Sequence, residues 1–225
     1  MPYYRRSYRR SYRKRYRRRR PRAPKAISAV KAAGVLASKA MAGVKYLKTL
    51  VNVEKKLVDT VLTDVLYPTG DVKCLTNIAT ADTYNARDGN SVLTDSLSIR
   101  CSIGNLGSTG TNCNVKFSLI EDMQLQSDTD PTIAQIFETA DPFSYLNHEH
   151  LGRFKVHWSK VWSVGIDGTQ VKNEDLFLKL PNHHVRFNGT GSTDIQKGAL
   201  FLVRMTDSST PVRADYNIRY RFIDN

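Results

Sequence analysis

The sequence predicts an all-β body of eight antiparallel strands, a sandwich or barrel, carried behind a disordered basic N-terminal arm. Three observations predict it. From about residue 51 the chain is built of short β-branched and aromatic runs separated by Gly, Asn, Asp, Ser and Pro. Several of these runs alternate apolar and polar residues with the period of two that buries one face of a strand. Between them there is no long amphipathic segment to serve as the crossover helix of a parallel sheet. Several connections are long, which favours Greek-key joins over a meander.

The first element is the segment 1–25, MPYYRRSYRRSYRKRYRRRRPRAPK. It holds thirteen Lys or Arg, five Tyr and no acidic residue. Like charge at that density, with little apolar surface to bury, cannot offset the entropy of ordering, so the segment is expected to be disordered in the free protein. Residues 26–50, AISAVKAAGVLASKAMAGVKYLKTL, are rich in the helix formers Ala, Leu, Met and Lys. They predict a helical linker, weakened at Gly34 and Gly43, with Lys31, Lys39, Lys45 and Lys48 among the apolar positions. Such a segment can lie against nucleic acid, a membrane surface or its own domain.

Residues 51–225 form the sandwich domain. Strands are expected over 56–66, 71–75, 91–103, 112–122, 153–164, 175–187, 199–206 and 215–223. The alternation is plain at Leu97, Ile99 and Cys101, at Val115, Phe117 and Leu119, and at Ile218, Tyr220 and Phe222. Phe154, Trp158, Trp162 and Val164 fall on one face of a single extended strand, where core packing is the default reading. A short helix over 132–138 fits inside a long loop. Cys74, Cys101 and Cys113 are odd in number and match no paired spacing, so buried free thiols are expected. No apolar run is long enough to span a bilayer, and no signal-type region follows the opening arginines.

The body shows little chemistry. His148 and His150 in the NHEH stretch would share one side of a strand, and a further ligand would have to come from His157, His183 or His184; the spacing is no known zinc signature. Glycine-rich nucleotide loops, a nucleophile elbow and the zinc deaminase pattern are all missing. Asp82, Asp88, Asp95, Glu121 and Asp122 are scattered over turn-rich sequence and suggest no defensible carboxylate pair. The reading is therefore a protein without catalytic residues, cofactor or metal site.

Charge points instead to the arm. The chain's formal net charge is +13, and the arm alone carries all of it, leaving 26–225 balanced. Arg outnumbers Lys there by eleven to two, and guanidinium forks suit bidentate contacts to phosphate. The expected nucleic-acid-binding residues are Arg5, Arg6, Arg9, Arg10, Arg13, Lys14, Arg15, Arg17, Arg18, Arg19, Arg20, Arg22 and Lys25. Tyr3, Tyr4, Tyr8, Tyr12 and Tyr16 are placed to stack on unpaired bases, which favours single strands over a duplex. Binding of this kind is tight, salt-dependent and indifferent to sequence. A neutral β body with a cationic arm suits a container better than an enzyme.

The order of motifs resembles the capsid proteins of small circular single-stranded DNA viruses, the circovirus-like group. The resemblance rests on the MPYYRRSYRR start and the Ala/Lys-rich stretch after it. It continues through NVEKKLVDT at 52–60, NARDGNSVLTDSLSIRCSI at 85–103, VKFSLIEDMQ at 115–124, LGRFKVHWSKVWSV at 151–164 and YNIRYRFID at 216–224. It implies an eight-stranded jelly roll and a homo-oligomeric T=1 icosahedral shell of sixty copies. The arm would lie inside with the viral single-stranded DNA and double as a nuclear localisation signal read by host import receptors. The protein would reside in the virion, pass through the host nucleus during assembly, and meet an unidentified host attachment receptor. Sixty such arms would supply roughly 780 charges, enough for a cargo on the order of 1,000 nucleotides. That figure does not separate DNA from RNA, so an RNA-virus capsid protein is the nearest alternative. A non-viral nucleic-acid-binding module with a basic tail is a third reading.

Overall fold

A computed structural model describes residues 25–50, 54–105, 112–125, 128–165, 171–209 and 211–224. The chain divides into two units, Met1–Asn52 and Val53–Asn225. In the first, helix α1 runs over Lys25–Leu50. Its residues 33–46 are all exposed, including Val35, Leu36, Met41, Val44 and Tyr46. Among the described residues no helix is long and apolar enough to cross a membrane.

Among its described residues the second unit contains ten strands: β1 Lys55–Leu66, β2 Asp71–Cys74, β3 Ser91–Asn105, β4 Cys113–Asp122, β5 Phe154–Val164, β6 Lys172–Lys179, β7 His184–Phe187, β8 Ile195–Lys197, β9 Ala199–Thr206 and β10 Val212–Asp224. Their pairing is that of a long antiparallel ribbon folded back on itself. The first strand pairs with the last, β2 with β9, β3 with β6 and β7, and β4 with β5. Wrapping of the ribbon adds the ladders β10–β3 and β9–β4. One sheet then reads β1-β10-β3-β7-β8 with β6 also on β3, and the other reads β2-β9-β4-β5. These two sheets form the expected antiparallel sandwich, with the strand order of a jelly roll.

The strand count differs from eight for a local reason. The single strand expected over 175–187 breaks at Pro181, which has no N–H for a ladder, and at Asn182, whose φ of 63° is left-handed. β6 and β7 consequently meet β3 separately, at Ser96↔Lys179 and Leu93↔His184. The remaining strand, β8, has only three residues and pairs with β7 across a Gly-rich turn.

The alternation holds on β3, where Leu97, Ile99, Cys101 and Ile103 are buried. It fails on β4 and β9. Every residue of β9 is buried, and on β4 Lys116, Ser118 and Ile120 are buried as well as Val115, Phe117 and Leu119. The second face is covered by the segment between β4 and β5, which carries the short helix α2, Ile133–Ile136. Lys116 donates to the Ser144 carbonyl at 3.1 Å with its ammonium 4.3 Å from the Phe137 ring centroid. Ile136 and Phe137 are thereby buried in the core.

A second departure lies on β5. Leu119 faces Trp158 and Ile120 faces Val156, so His157 is the extra residue of a β-bulge. Trp158, Trp162 and Val164 keep the interior face, with Trp162 edge-on to Phe117 at 5.4 Å. Phe154 does not share it, contrary to the period-two expectation, because the bulge shifts it to the opposite face beside Asp122. All three cysteines are buried free thiols, as expected, and burial pushes Cys74 and Cys101 up to about 11.

Candidate functional site

The residues assigned to nucleic acid, Arg5 through Arg22 and the tyrosines from Tyr3 to Tyr16, lie outside the described residues. Lys25 opens α1, and its side chain also lies outside them. What the structure does describe is the end of the sandwich where β4 finishes, β5 begins and the β6–β7 turn crosses over.

Two of the five histidines meet there on one carboxylate. His157 Nε2 lies 2.8 Å from Glu121 Oε2, and His183 Nε2 lies 3.6 Å from Glu121 Oε1. Both meetings depend on irregular backbone. The bulge on β5 supplies His157, and the break after Leu180 supplies His183. On its other side His183 Nδ1 is 2.6 Å from Thr94 Oγ1, which is in turn 2.8 Å from the Tyr220 hydroxyl. Thr94 has a single proton to share between these partners, and the His183 tautomer follows its direction. Nε2 of His183 is buried with no hydrogen-bond partner.

Burial dominates the titration of His183, pushing it down to about 4 against the pull of Glu121. The ring is therefore neutral at neutral pH, and its approach to Glu121 is not an ion pair there. Glu121 is shifted below the usual carboxylate range, chiefly by the hydrogen bond with His157, with burial opposing.

A cavity of about 600 Å³ opens over this cluster. Lys155, Lys179, His184, Arg186 and Lys197 line it, all exposed, and among the described residues Glu121 is its one carboxylate. Lys155 reaches Glu121 at 3.6 Å. Among the described residues Lys179, Arg186 and Lys197 have no ion-pair partner. The basic rim was not anticipated from sequence, although KLPNHHVR at 179–186 concentrates four basic or imidazole side chains in eight residues.

The other expected groups are dispersed. His148, Glu149 and His150 do not alternate along a strand; they form a 3-10 turn whose N-cap, Asn147, accepts from the Glu149 N–H at 2.9 Å. Asp122 is fully buried and accepts from Nε and Nη2 along one edge of the Arg153 guanidinium at 2.7–3.1 Å. Asp88 binds Lys56 at 2.9 Å, a lysine it shares with Asp224. Among the described residues, no group of three or more His, Cys, Asp and Glu is placed to hold a metal ion.

Comparison with known proteins is sparse. No family model matches the chain, and no curated protein does. Among solved structures, a chain of infectious bursal disease virus, Gx strain, is similar at 8% identity and a TM-score of 0.33, over 74% of this chain. The present chain spans only 32% of that one. A chain of Desmodium yellow mottle tymovirus is similar at 10% identity and a TM-score of 0.35, over 76% of this chain and 86% of the other. These identities are too low to transfer any residue's role.

Proposed function

We propose that this chain is a viral capsid protein that assembles into a small icosahedral shell and packages single-stranded nucleic acid on its basic arm. The observation that carries the reading is the segregation of charge. All thirteen net positive charges sit in residues 1–25, and 26–225 balance 21 basic against 21 acidic groups. A jelly-roll body of neutral charge does not repel its copies in a closed shell, while the arms concentrate cation on the cargo side. The resemblance to circovirus-like capsid proteins supports a T=1 shell of sixty copies and single-stranded DNA as cargo. It also supports import of the chain into the host nucleus through the same arginines, and a host receptor met from the virion surface. In this role the body needs no catalytic group.

The test is assembly of full-length chain and of chain lacking residues 1–25. Electron microscopy of both, followed by nuclease digestion and sequencing of the protected strands, is expected to show filled particles only for the full-length chain. Protected RNA in place of DNA would move the protein to the RNA-virus alternative. A chain that stays monomeric by light scattering with and without cargo, or equal cargo in both, would overturn the reading.

A further inference from the structure

We propose that the cavity over Glu121, His157 and His183 is a binding site for a compact polyphosphate, such as inorganic tripolyphosphate or the triphosphate of a nucleotide. The site belongs to the body and is independent of the arm.

Charge is the first argument. Lys155 is engaged by Glu121 at 3.6 Å, but Lys179, Arg186 and Lys197 converge on the same concavity without an ion-pair partner among the described residues. In a body that is balanced as a whole, three unpaired cations around one hollow are a local excess that calls for about three negative charges in a small volume. Arg186 supplies a guanidinium fork, and the lysines supply point charges, the usual complement of a phosphate cluster.

Shape is the second. A cavity of about 600 Å³ has the size of a small-molecule site. A nucleic-acid strand is instead held along a basic track with aromatic rings for its bases, and among the described residues no Phe, Tyr or Trp lines this hollow. A sulfated glycan likewise strings its charges along a chain of sugar rings. Clustered charge around a compact, partly open hollow fits a ligand whose phosphates are consecutive.

The third argument is His183. The residue lines the cavity with its side chain more than nine-tenths buried, and its Nε2, 3.6 Å from Glu121 Oε1, has no hydrogen-bond partner. Buried polar atoms are rarely left unsatisfied. Its Nδ1 is committed to Thr94, which fixes the ring with Nε2 beside Glu121 at the floor of the hollow.

The experiment exploits the absence of histidine from residues 1–25. Full-length protein is treated with diethyl pyrocarbonate, with and without inorganic tripolyphosphate, and the modification rate of each histidine is read by peptide mass spectrometry. Arm binding does not enter this readout. Tripolyphosphate at about four times its dissociation constant is expected to slow modification of His184 and His157 about fivefold, with His148 unchanged as internal control. Arg186→Glu with Lys197→Glu, both at exposed positions, should abolish the protection. The milder Lys179→Gln with Arg186→Gln should reduce it if the double reversal fails to fold. Equal rates with and without tripolyphosphate, or protection that survives both variant pairs, would overturn the site. Protection by an oligothymidylate or a sulfated glycan at matched charge that equals that of tripolyphosphate would overturn the compact ligand.

Discussion

Arg87 lies over the ring of Phe187, its guanidinium carbon 3.9 Å from the ring centroid. The side chain is fully buried and its acceptors are all neutral. Nε donates to the Ile78 carbonyl at 3.0 Å, Nη1 to Gly89 at 2.7 Å and Asn90 Oδ1 at 3.3 Å, and Nη2 to Gly189 at 2.6 Å and Gly191 at 3.3 Å. One planar fork thus ties the β2–β3 connection to the β7–β8 turn.

Replacing Arg87 should therefore unfold more than a side-chain contact. Arg87→Ala leaves the buried Ile78 carbonyl and the part-buried carbonyls of Gly89, Gly189 and Gly191 without this donor and removes the contact with Phe187, and is expected to destabilise the body by about 3–5 kcal/mol. Arg87→Lys keeps the charge but cannot reach both loops with one ammonium, so it should recover less than half of the loss. Thermal unfolding of purified chain checks both. A loss below about 1 kcal/mol for the alanine variant would remove Arg87 from this role.

The His183 environment predicts acid sensitivity. Its folded pKa, pushed down to about 4, lies below the ordinary histidine value near 6.5. Between those two values the unfolded chain binds a proton that the folded chain refuses. Stability from this residue is thus complete above about pH 6.5 and declines as the pH falls toward 4, by at most about 1.4 kcal/mol per pH unit. Glu121, shifted low, adds its own loss only at more acidic pH. Melting temperature measured across this window should fall for the native chain, and His183→Gln should flatten the fall. An identical slope in the variant would show that other groups carry the acid response.

How far the molecule was legible beforehand differs by element, for physical reasons. β3 could be read from Leu97, Ile99 and Cys101 because one of its faces is the core and the other is not. β4 and β9 have the same core face, but the loop carrying Ile136 and Phe137 closes over the other, a tertiary event that leaves no period in the strand itself. Phe154 was misplaced because a bulge is one residue of register, and nothing in FKVHWSKVW distinguishes the extra residue. The break within 175–187 was missed although Pro181 carries a local signal for it, its missing N–H. The charge of the arm was legible for the opposite reason: it depends on composition and on no contact. Glu121, His157 and His183 stand far apart in sequence, and only the ladder between β4 and β5 and the turn after Leu180 bring them together.

Gly198 gives the sharpest check on how that cluster is held. It lies between β8 and β9 at a φ of +78°, and a Cβ there would collide with the backbone carbonyl oxygen of His184. Backbone cannot move aside as the tip of a side chain can, so Gly198→Ala combines left-handed strain with a clash against β7. The expected cost is about 2–4 kcal/mol, with the disturbance centred on His184 and its neighbour His183. Hydrogen exchange should show faster opening of β7 and β8, while the β1–β10 ladder stays protected. Gly191→Ala is the useful contrast. Its added carbon would meet only the Asp194 side chain, at about 3.0 Å, and that side chain can turn away. Equal destabilisation by the two substitutions would mean that the close approach of Gly198 to His184 does not hold β7 in place.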